Sequence, residues 1–111
     1  MTDIATTTTT ATPLHIVLHA PSAAALARAR SNALNLRREA PSAEVRIVLN
    51  AEAVAAALDT PHPQADPLTW LCPNSLAQSG RSATAPLQVL PVGAVLALAQ
   101  WQQQGWIYLR A

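Results

Sequence analysis

The chain has no lysine and no phenylalanine, and it has one cysteine and three glycines in 111 residues. Without lysine it cannot form a Schiff base, a Ser-Lys dyad or the lysine contact of a phosphate-binding loop. No glycine-rich loop follows any predicted strand, which disfavours a nucleotide-binding fold. Aromatic residues make up 4%, too few for the stacking surface that binds single-stranded nucleic acid.

Charge is sparse and almost balanced. The basic residues are all arginines, and they leave a formal net charge of +1. A surface that neutralises a run of phosphates needs more positive charge than this, so we expect no nucleic-acid partner. No apolar run approaches the ~20 residues that span a bilayer, and the N-terminus lacks the pattern of a secretory signal. We therefore expect no membrane association and a cytoplasmic location.

The single cysteine, Cys72, excludes an intrachain disulfide and cannot form a structural zinc site by itself. A lone thiol is typical of a reducing compartment. His15 and His19 share a face of one predicted strand but lie ~13 Å apart, too far to share a metal. His62 falls in a proline-rich loop and is expected to be exposed. We expect no metal and no cofactor.

The length fits one compact domain, which we place at residues 14–111. Residues 1–13 contain a threonine tract with little to bury, and we expect them to form a disordered arm. A domain of this size buries a limited share of its surface, so association into a homo-oligomer is expected.

Strand and helix patterns alternate through the domain. Ser22 is a candidate N-cap for a first helix that ends at Pro41, and Asn50 is a candidate N-cap for a short second helix. Gly80 ends the third predicted helix and Gly105 ends the fourth. This order predicts an α/β fold, a three-layer α/β/α sandwich with a mainly parallel five-stranded sheet. The predicted strands are 14–20, 44–50, 68–72, 87–90 and 106–110, and the last three helices are 51–58, 73–79 and 92–104.

Side-chain periodicity predicts which helix faces are buried. In the last helix the apolar stripe runs through Val95, Leu98 and Trp101, and Trp101 and Trp106 are expected to anchor the core or an interface. The apolar stripe of the first helix comprises Leu26, Ala29, Ala33 and Leu36. The same helix has a basic run, interpreted as solvated or paired across a subunit contact, at Arg28, Arg30, Arg37 and Arg38.

Ligands of open α/β sheets bind beyond the carboxyl ends of the strands, where this sequence places His19 and Cys72. Cys72 precedes Pro73, a residue favoured at the first position of a helix, so Cys72 would be the N-cap with its sulfur near free N–H groups. That position lowers a thiol pKa, as a nucleophilic or sulfur-carrying cysteine requires. Alternatively, Cys72 is a packed, inert hydrophobe. His19 could assist if its strand neighbours that of Cys72; otherwise it is a capping or solvent-facing histidine.

Three stretches of the sequence resemble a known family. They are residues 29–36 (Ala-Arg-Ser-Asn-Ala-Leu-Asn-Leu), residues 71–76 (Leu-Cys-Pro-Asn-Ser-Leu), and residues 90–95 (Leu-Pro-Val-Gly-Ala-Val) followed by residues 103–109 (Gln-Gln-Gly-Trp-Ile-Tyr-Leu). The family is the DsrE/DsrF-like family of sulfur-oxidation and sulfur-relay proteins. The resemblance covers residues 14–111. It implies a homotrimer or homohexamer in which Cys72 corresponds to the cysteine that carries a persulfide.

The resemblance also assigns neighbouring positions. Asn74 and Ser75 fall at the family's adjoining asparagine and hydroxyl positions. The sequence departs from the family at Pro73, where a small residue is frequent, and at Ala51 and Ala53, where a glycine-containing turn is common.

Two functions from different classes remain open. In the first, the protein is a sulfur carrier or sulfurtransferase-like protein that holds sulfane sulfur on Cys72, with His19, Asn74 and Ser75 binding substrate. Its partners would be sulfur donor and acceptor proteins, and discharge must go to another molecule because the chain has no second cysteine. In the second, it is a non-catalytic oligomeric module that binds a ligand or a protein, with Cys72 packed and alanine-rich helix faces in contact between subunits.

Overall fold

Five strands form a single sheet in the computed structural model, which describes residues 13–111. The predicted threonine-rich arm lies, except for Pro13, outside the described residues. The strands are β1 (His15–Ala20), β2 (Glu44–Leu49), β3 (Thr69–Leu71), β4 (Gln88–Val89) and β5 (Ile107–Arg110). They are arranged in the order β4-β3-β2-β1-β5, and all neighbouring pairs are parallel. The predicted α/β sandwich is confirmed.

Four α-helices connect the strands: α1 (Ala23–Glu39), α2 (Glu52–Asp59), α3 (Pro73–Ser79) and α4 (Ala94–Gln103). The Ser22 hydroxyl accepts a hydrogen bond from Ala25 N at 3.1 Å, so the predicted cap of α1 is confirmed. Gly80 ends α3 with a left-handed φ of 68°, a conformation that favours glycine. β4 is two residues long, shorter than predicted, and Leu68 belongs to a 3₁₀ turn rather than to β3.

The strand order explains which face each helix covers. From β1 to β4 each step moves to the next strand in the same direction, so right-handed crossovers place α1, α2 and α3 on one face. The chain then returns from β4 across the sheet to β5, and this reversal places α4 on the opposite face. Accordingly, the core splits into two buried clusters, a larger one under α1 and α2 and a smaller one under α4.

The buried face of α4 differs from the predicted one by one position. Ala94, Ala97 and Leu98 are buried, and Trp101 packs partly buried against them. Val95 is 75% exposed, so its predicted place in the apolar stripe is wrong, whereas Leu98 and Trp101 are confirmed. The alanines on the buried helix faces pack against their own sheet, and the expectation that they lie between subunits does not hold for Ala25, Ala29, Ala33, Ala53, Ala57, Ala94 and Ala97.

The smaller cluster ends in a group of tryptophans at the amino end of the sheet. The Arg46 guanidinium lies 4.4 Å from the ring centre of Trp106, 4.8 Å from that of Trp101 and 5.7 Å from that of Trp70. Each contact is within the range of a cation–π interaction. Trp101 and Trp106 are therefore core anchors, as predicted, and they enclose a charge.

Arg30 is buried, and its predicted membership of a solvated basic run is wrong. It is 8% exposed, and its Nη2 lies 3.3 Å from Asp66 Oδ1 while Nη1 donates to Thr60 Oγ1 at 3.0 Å. Asp66 is 4% exposed and also accepts from the His62 backbone N–H at 2.9 Å. This ion pair fastens the proline-rich loop to α1 through a partner that no local pattern could reveal.

The turn after β2 also differs from prediction. Asn50 does not cap α2; the N-cap is Ala51, with no side-chain cap, and the Asn50 side chain bonds to His19 instead. Ala51 has φ 51° and ψ −139°, a backbone region that glycine adopts readily and that strains an L-residue. Ala51 is one of the two residues that stand where a glycine-containing turn is common in the DsrE/DsrF-like family.

Ala51→Gly should raise the free energy of unfolding by about 1 kcal/mol, because relief of strain at positive φ exceeds the extra chain entropy of glycine. The measurement is a urea titration followed by circular dichroism. Ala53→Gly, in the first turn of α2, is the matched control and should lower stability by about 1 kcal/mol. A loss of stability in both variants would contradict the strain at Ala51.

Asp66→Ala should lower the free energy of unfolding by about 3 kcal/mol, because it leaves the buried Arg30 charge unpaired. Asp59→Ala removes the partner of Arg81 from an exposed ion pair of 2.7 Å and should cost less than about 1 kcal/mol. Both values come from denaturant titrations at neutral pH. Equal losses of unfolding free energy in the two variants would show that burial does not increase the contribution of the Arg30–Asp66 pair to stability.

Candidate functional site

The strand order predicts a crevice at the carboxyl edge of the sheet. After β3 the chain enters α3 on one face, and after β4 it enters α4 on the other, so the two connections diverge. Open α/β sheets bind ligands at such a topological switch point. Cys72, which follows β3, and Gly93, which precedes α4, lie on the two sides of this crevice.

The Cys72 sulfur lies where two helices begin. Cys72 is the N-cap of α3 and Pro73 is at the first turn, as predicted. Its Sγ also accepts a hydrogen bond of 3.4 Å from the backbone N–H of Ala94, the first residue of α4. The residue is 5% exposed and packs in the α4 cluster with Val48 and Leu90.

The surroundings of the sulfur favour its thiolate form. Burial raises the pKa of Cys72, but the backbone N–H of Ser75, that of Ala94, the Ser75 hydroxyl and the backbone N–H of Asn74 together hold the pKa below its ordinary value. The Ser75 oxygen accepts a hydrogen bond of 2.8 Å from Ala51 N, which leaves the hydroxyl proton for the sulfur. The turn at Ala51 thereby orients a donor to Cys72.

Asn74 lies at the mouth of the crevice. Its side chain is exposed, and its Nδ2 approaches the backbone of Gly93 so closely that a Cβ at position 93 would lie 3.0 Å away. The absence of a side chain at Gly93 leaves room for the amide between α3 and α4. Asn74 and Ser75, both predicted from the family pattern, are therefore beside Cys72.

His19 does not adjoin Cys72, because β2 lies between β1 and β3. The condition for a direct role of His19 is thus not met. Its Nδ1 lies 2.7 Å from the Tyr108 hydroxyl and its Nε2 lies 2.9 Å from Asn50 Oδ1. His19 reaches the crevice only through Asn50, and Tyr108 joins the group because β5 pairs with β1.

Tyr108 and this role of Asn50 were missed by the sequence interpretation. Tyr108 is near the end of the chain on a strand whose neighbour is the first strand, and no local signal marks that pairing. Asn50 was found at the correct edge of the sheet but was assigned to a helix cap, which its contact with His19 replaces.

The other histidines make separate contacts. His15 Nε2 lies 3.5 Å from Glu44 Oε1, and half-buried His62 accepts a hydrogen bond from Ala65 N at 3.1 Å rather than being free at the surface. Within residues 13–111 no group of three or more His, Cys, Asp or Glu side chains is arranged to hold a metal ion. In the same part of the chain no helix is long and apolar enough to cross a membrane.

No protein-family model matches the chain, and no curated protein is significantly similar to it. The resemblance to the DsrE/DsrF-like family therefore stays a prediction. The structural basis for a function is the position of Cys72 at the switch point and the set of hydrogen bonds to its sulfur.

The depressed pKa of Cys72 should make stability depend on pH. A group whose pKa is lower in the folded than in the unfolded state contributes stability above its unfolded pKa and loses that stability as pH falls through its folded pKa. The free energy of unfolding of the wild type, relative to Cys72→Ser, should therefore rise with pH across this window. Ser75→Ala should reduce the rise, because it removes one donor to the thiolate.

Denaturant titrations of the three proteins over a pH series measure this difference. A flat difference between the wild type and Cys72→Ser would show that the thiol has the same pKa in the folded and unfolded chains. An unchanged rise in Ser75→Ala would exclude its hydroxyl as a donor.

Proposed function

We propose that the protein is a sulfur carrier of the DsrE/DsrF-like kind, which holds sulfane sulfur as a persulfide on Cys72 and passes it to a thiol of a partner. The observation that supports this function is the position of Cys72 Sγ at the switch point of the sheet, where Ala94 N and the start of α3 favour the thiolate. A thiolate is the form of cysteine that attacks sulfur.

The chemistry needs no separate oxidant. With thiosulfate as donor, the Cys72 thiolate attacks the sulfane sulfur, a new S–S bond forms, and the bond to the sulfite sulfur breaks with its electron pair leaving on sulfite. Cys72 then carries a perthiolate. An acceptor thiolate attacks the outer sulfur, and the Cys72 thiolate departs as the leaving group. In this scheme Ser75 donates a hydrogen bond to Cys72 Sγ, and Asn74 donates to the incoming donor anion at the mouth of the crevice.

The burial of Cys72 limits the size of the sulfur donors that can reach it. At 5% exposure, the residue admits only a small donor at the crevice, such as thiosulfate or a short polysulfide. A bulky protein donor would need the starts of α3 and α4 to separate. The carrier scheme therefore predicts direct loading by small anionic sulfane compounds.

Association with other copies and with partners belongs to the same proposal. We take the carrier to be a cytoplasmic homo-oligomer, a trimer or a hexamer, and a sulfur donor or acceptor protein would reach Cys72 only after the starts of α3 and α4 separate. Exposed apolar side chains support association at two places, one on the α1 side of β5 and the other on α4. They are Ile107 and Leu109 at 44% exposure each, Leu96 at 52% and Val95 at 75%.

The burial of Cys72 also favours a second function. In a non-catalytic binding module Cys72 would be an inert member of the α4 cluster, and the exposed apolar residues would bind a ligand or protein. Thiol reactivity separates the two functions, since an activated Cys72 reacts in the folded protein and a packed one reacts only after unfolding.

Incubation of the native protein with thiosulfate or polysulfide should add the mass of one or more sulfur atoms, as measured by intact mass spectrometry. Reductant should remove the added sulfur, and Cys72→Ser should not acquire it. Thr69→Ser, a conservative change at a fully buried residue of β3, is a folded comparison that keeps the thiol and should load normally.

A wild-type protein that gains no sulfur, and whose thiol resists alkylation until it is denatured, would overturn the carrier function. The binding module would then be the remaining proposal. Loading that persists in Cys72→Ser would equally overturn it, because no other cysteine exists in the chain.

A further inference from the structure

A chain of three hydrogen-bonded side chains extends along the carboxyl edge of the sheet. Tyr108 on β5 contacts His19 on β1, and His19 contacts Asn50 at the end of β2, over 2.7 Å and 2.9 Å. All three are half-buried, and they lie on the α4 face. Neither the carrier scheme nor the family resemblance gives Asn50 or Tyr108 a role.

Asn50 is beside Cys72. Leu49 pairs with Leu71 in the register of β2 and β3, and Cys72 N donates to Leu49 O at 2.9 Å, so Asn50 and Cys72 are the next residues on neighbouring strands. Val48 and Cys72 belong to the α4 cluster, and alternation along β2 places Asn50 on the same face as Val48. Neighbouring strands are about 4.8 Å apart, within reach of an asparagine side chain.

The contacts of Asn50 determine which of its side-chain atoms is free to bind a ligand. An amide oxygen only accepts, so His19 Nε2 carries the proton and donates to Asn50 Oδ1, and the Tyr108 hydroxyl donates to Nδ1. Asn50 is thus held with its oxygen engaged, and its Nδ2 donors have no partner among residues 13–111.

A persulfide anion needs a hydrogen-bond donor at a position where a thiolate needs none. The negative charge moves from Sγ to the outer sulfur, about 2.0 Å further along the S–S bond. Ala94 N and Ser75 are arranged around Sγ, so the outer sulfur requires a further donor.

We infer that Asn50 binds the outer sulfur of the Cys72 persulfide through Nδ2, and that His19 and Tyr108 are positioning residues that hold its amide in this orientation. This inference rests on the proposed carrier function. It changes the predicted part of His19 from substrate binding to the support of another side chain.

The test uses the full chain loaded with polysulfide and follows the near-ultraviolet absorbance of the perthiolate as a function of pH. Asn50→Ala should move the pH midpoint upward by about half a unit to one unit, which leaves threefold to tenfold less perthiolate below the midpoint. It should also shorten the retention of sulfur measured by intact mass. Asn32→Ala, an exposed asparagine of α1, is the matched control and should behave as the wild type.

A second pair of variants keeps the test decisive if Asn50→Ala unfolds. His19→Gln retains an N–H donor near the position of Nε2, whereas His19→Leu does not, so His19→Leu should reproduce the shift and His19→Gln should restore most of the wild-type midpoint. A merely structural role of His19 would lower thermal stability without moving the midpoint.

Different experimental results would contradict this inference and the carrier function. A wild type that loads sulfur, with unchanged midpoints in Asn50→Ala and His19→Leu, would overturn the role of Asn50 alone. A wild type that never loads would overturn the carrier function and, with it, the binding of a persulfide by Asn50.

Discussion

The handedness of strand connections is the constraint on which this structure depends. Three right-handed crossovers in one direction place α1, α2 and α3 on one face, and the return from β4 to β5 leaves α4 on the other. The same reversal separates the loops after β3 and β4 and so opens the crevice at Cys72. Topology thus decides both the layering of the core and the position of the candidate site.

The proposed chemistry depends on how this crevice surrounds one sulfur. Burial alone would raise the pKa of Cys72, as for any packed cysteine. The pKa is nevertheless below its ordinary value, because Ala94 begins a helix on one face while Ser75 lies in the first turn of a helix on the other. Ser75 is in turn oriented by the N–H of the strained residue Ala51. The lowered pKa of a nearly buried thiol is the basis of the proposal that small sulfane donors load Cys72.

Several parts of the fold and site were predictable because their causes are local. The Ser22 cap, the stop at Gly80 and the N-cap position of Cys72 before Pro73 each follow from the backbone needs of one helix end. Predictions failed where a distant partner decided the outcome. Arg30 belongs to a basic run that predicts a solvated helix face, yet it is buried in an ion pair with Asp66. Asn50 has the chemistry of a cap, yet His19 binds its oxygen.

The sequence by itself determined the α/β class, the position of Cys72 at a strand-to-helix junction, and the absence of lysine chemistry and of an intrachain disulfide, because composition and short-range periodicity carry that information. Only the tertiary structure decided the strand order, and with it the pairing of β5 with β1 that brings Tyr108 to His19. It also decided that His19 meets Asn50 rather than Cys72. These contacts join residues far apart in the chain, and their formation depends on crossover geometry that no local pattern encodes.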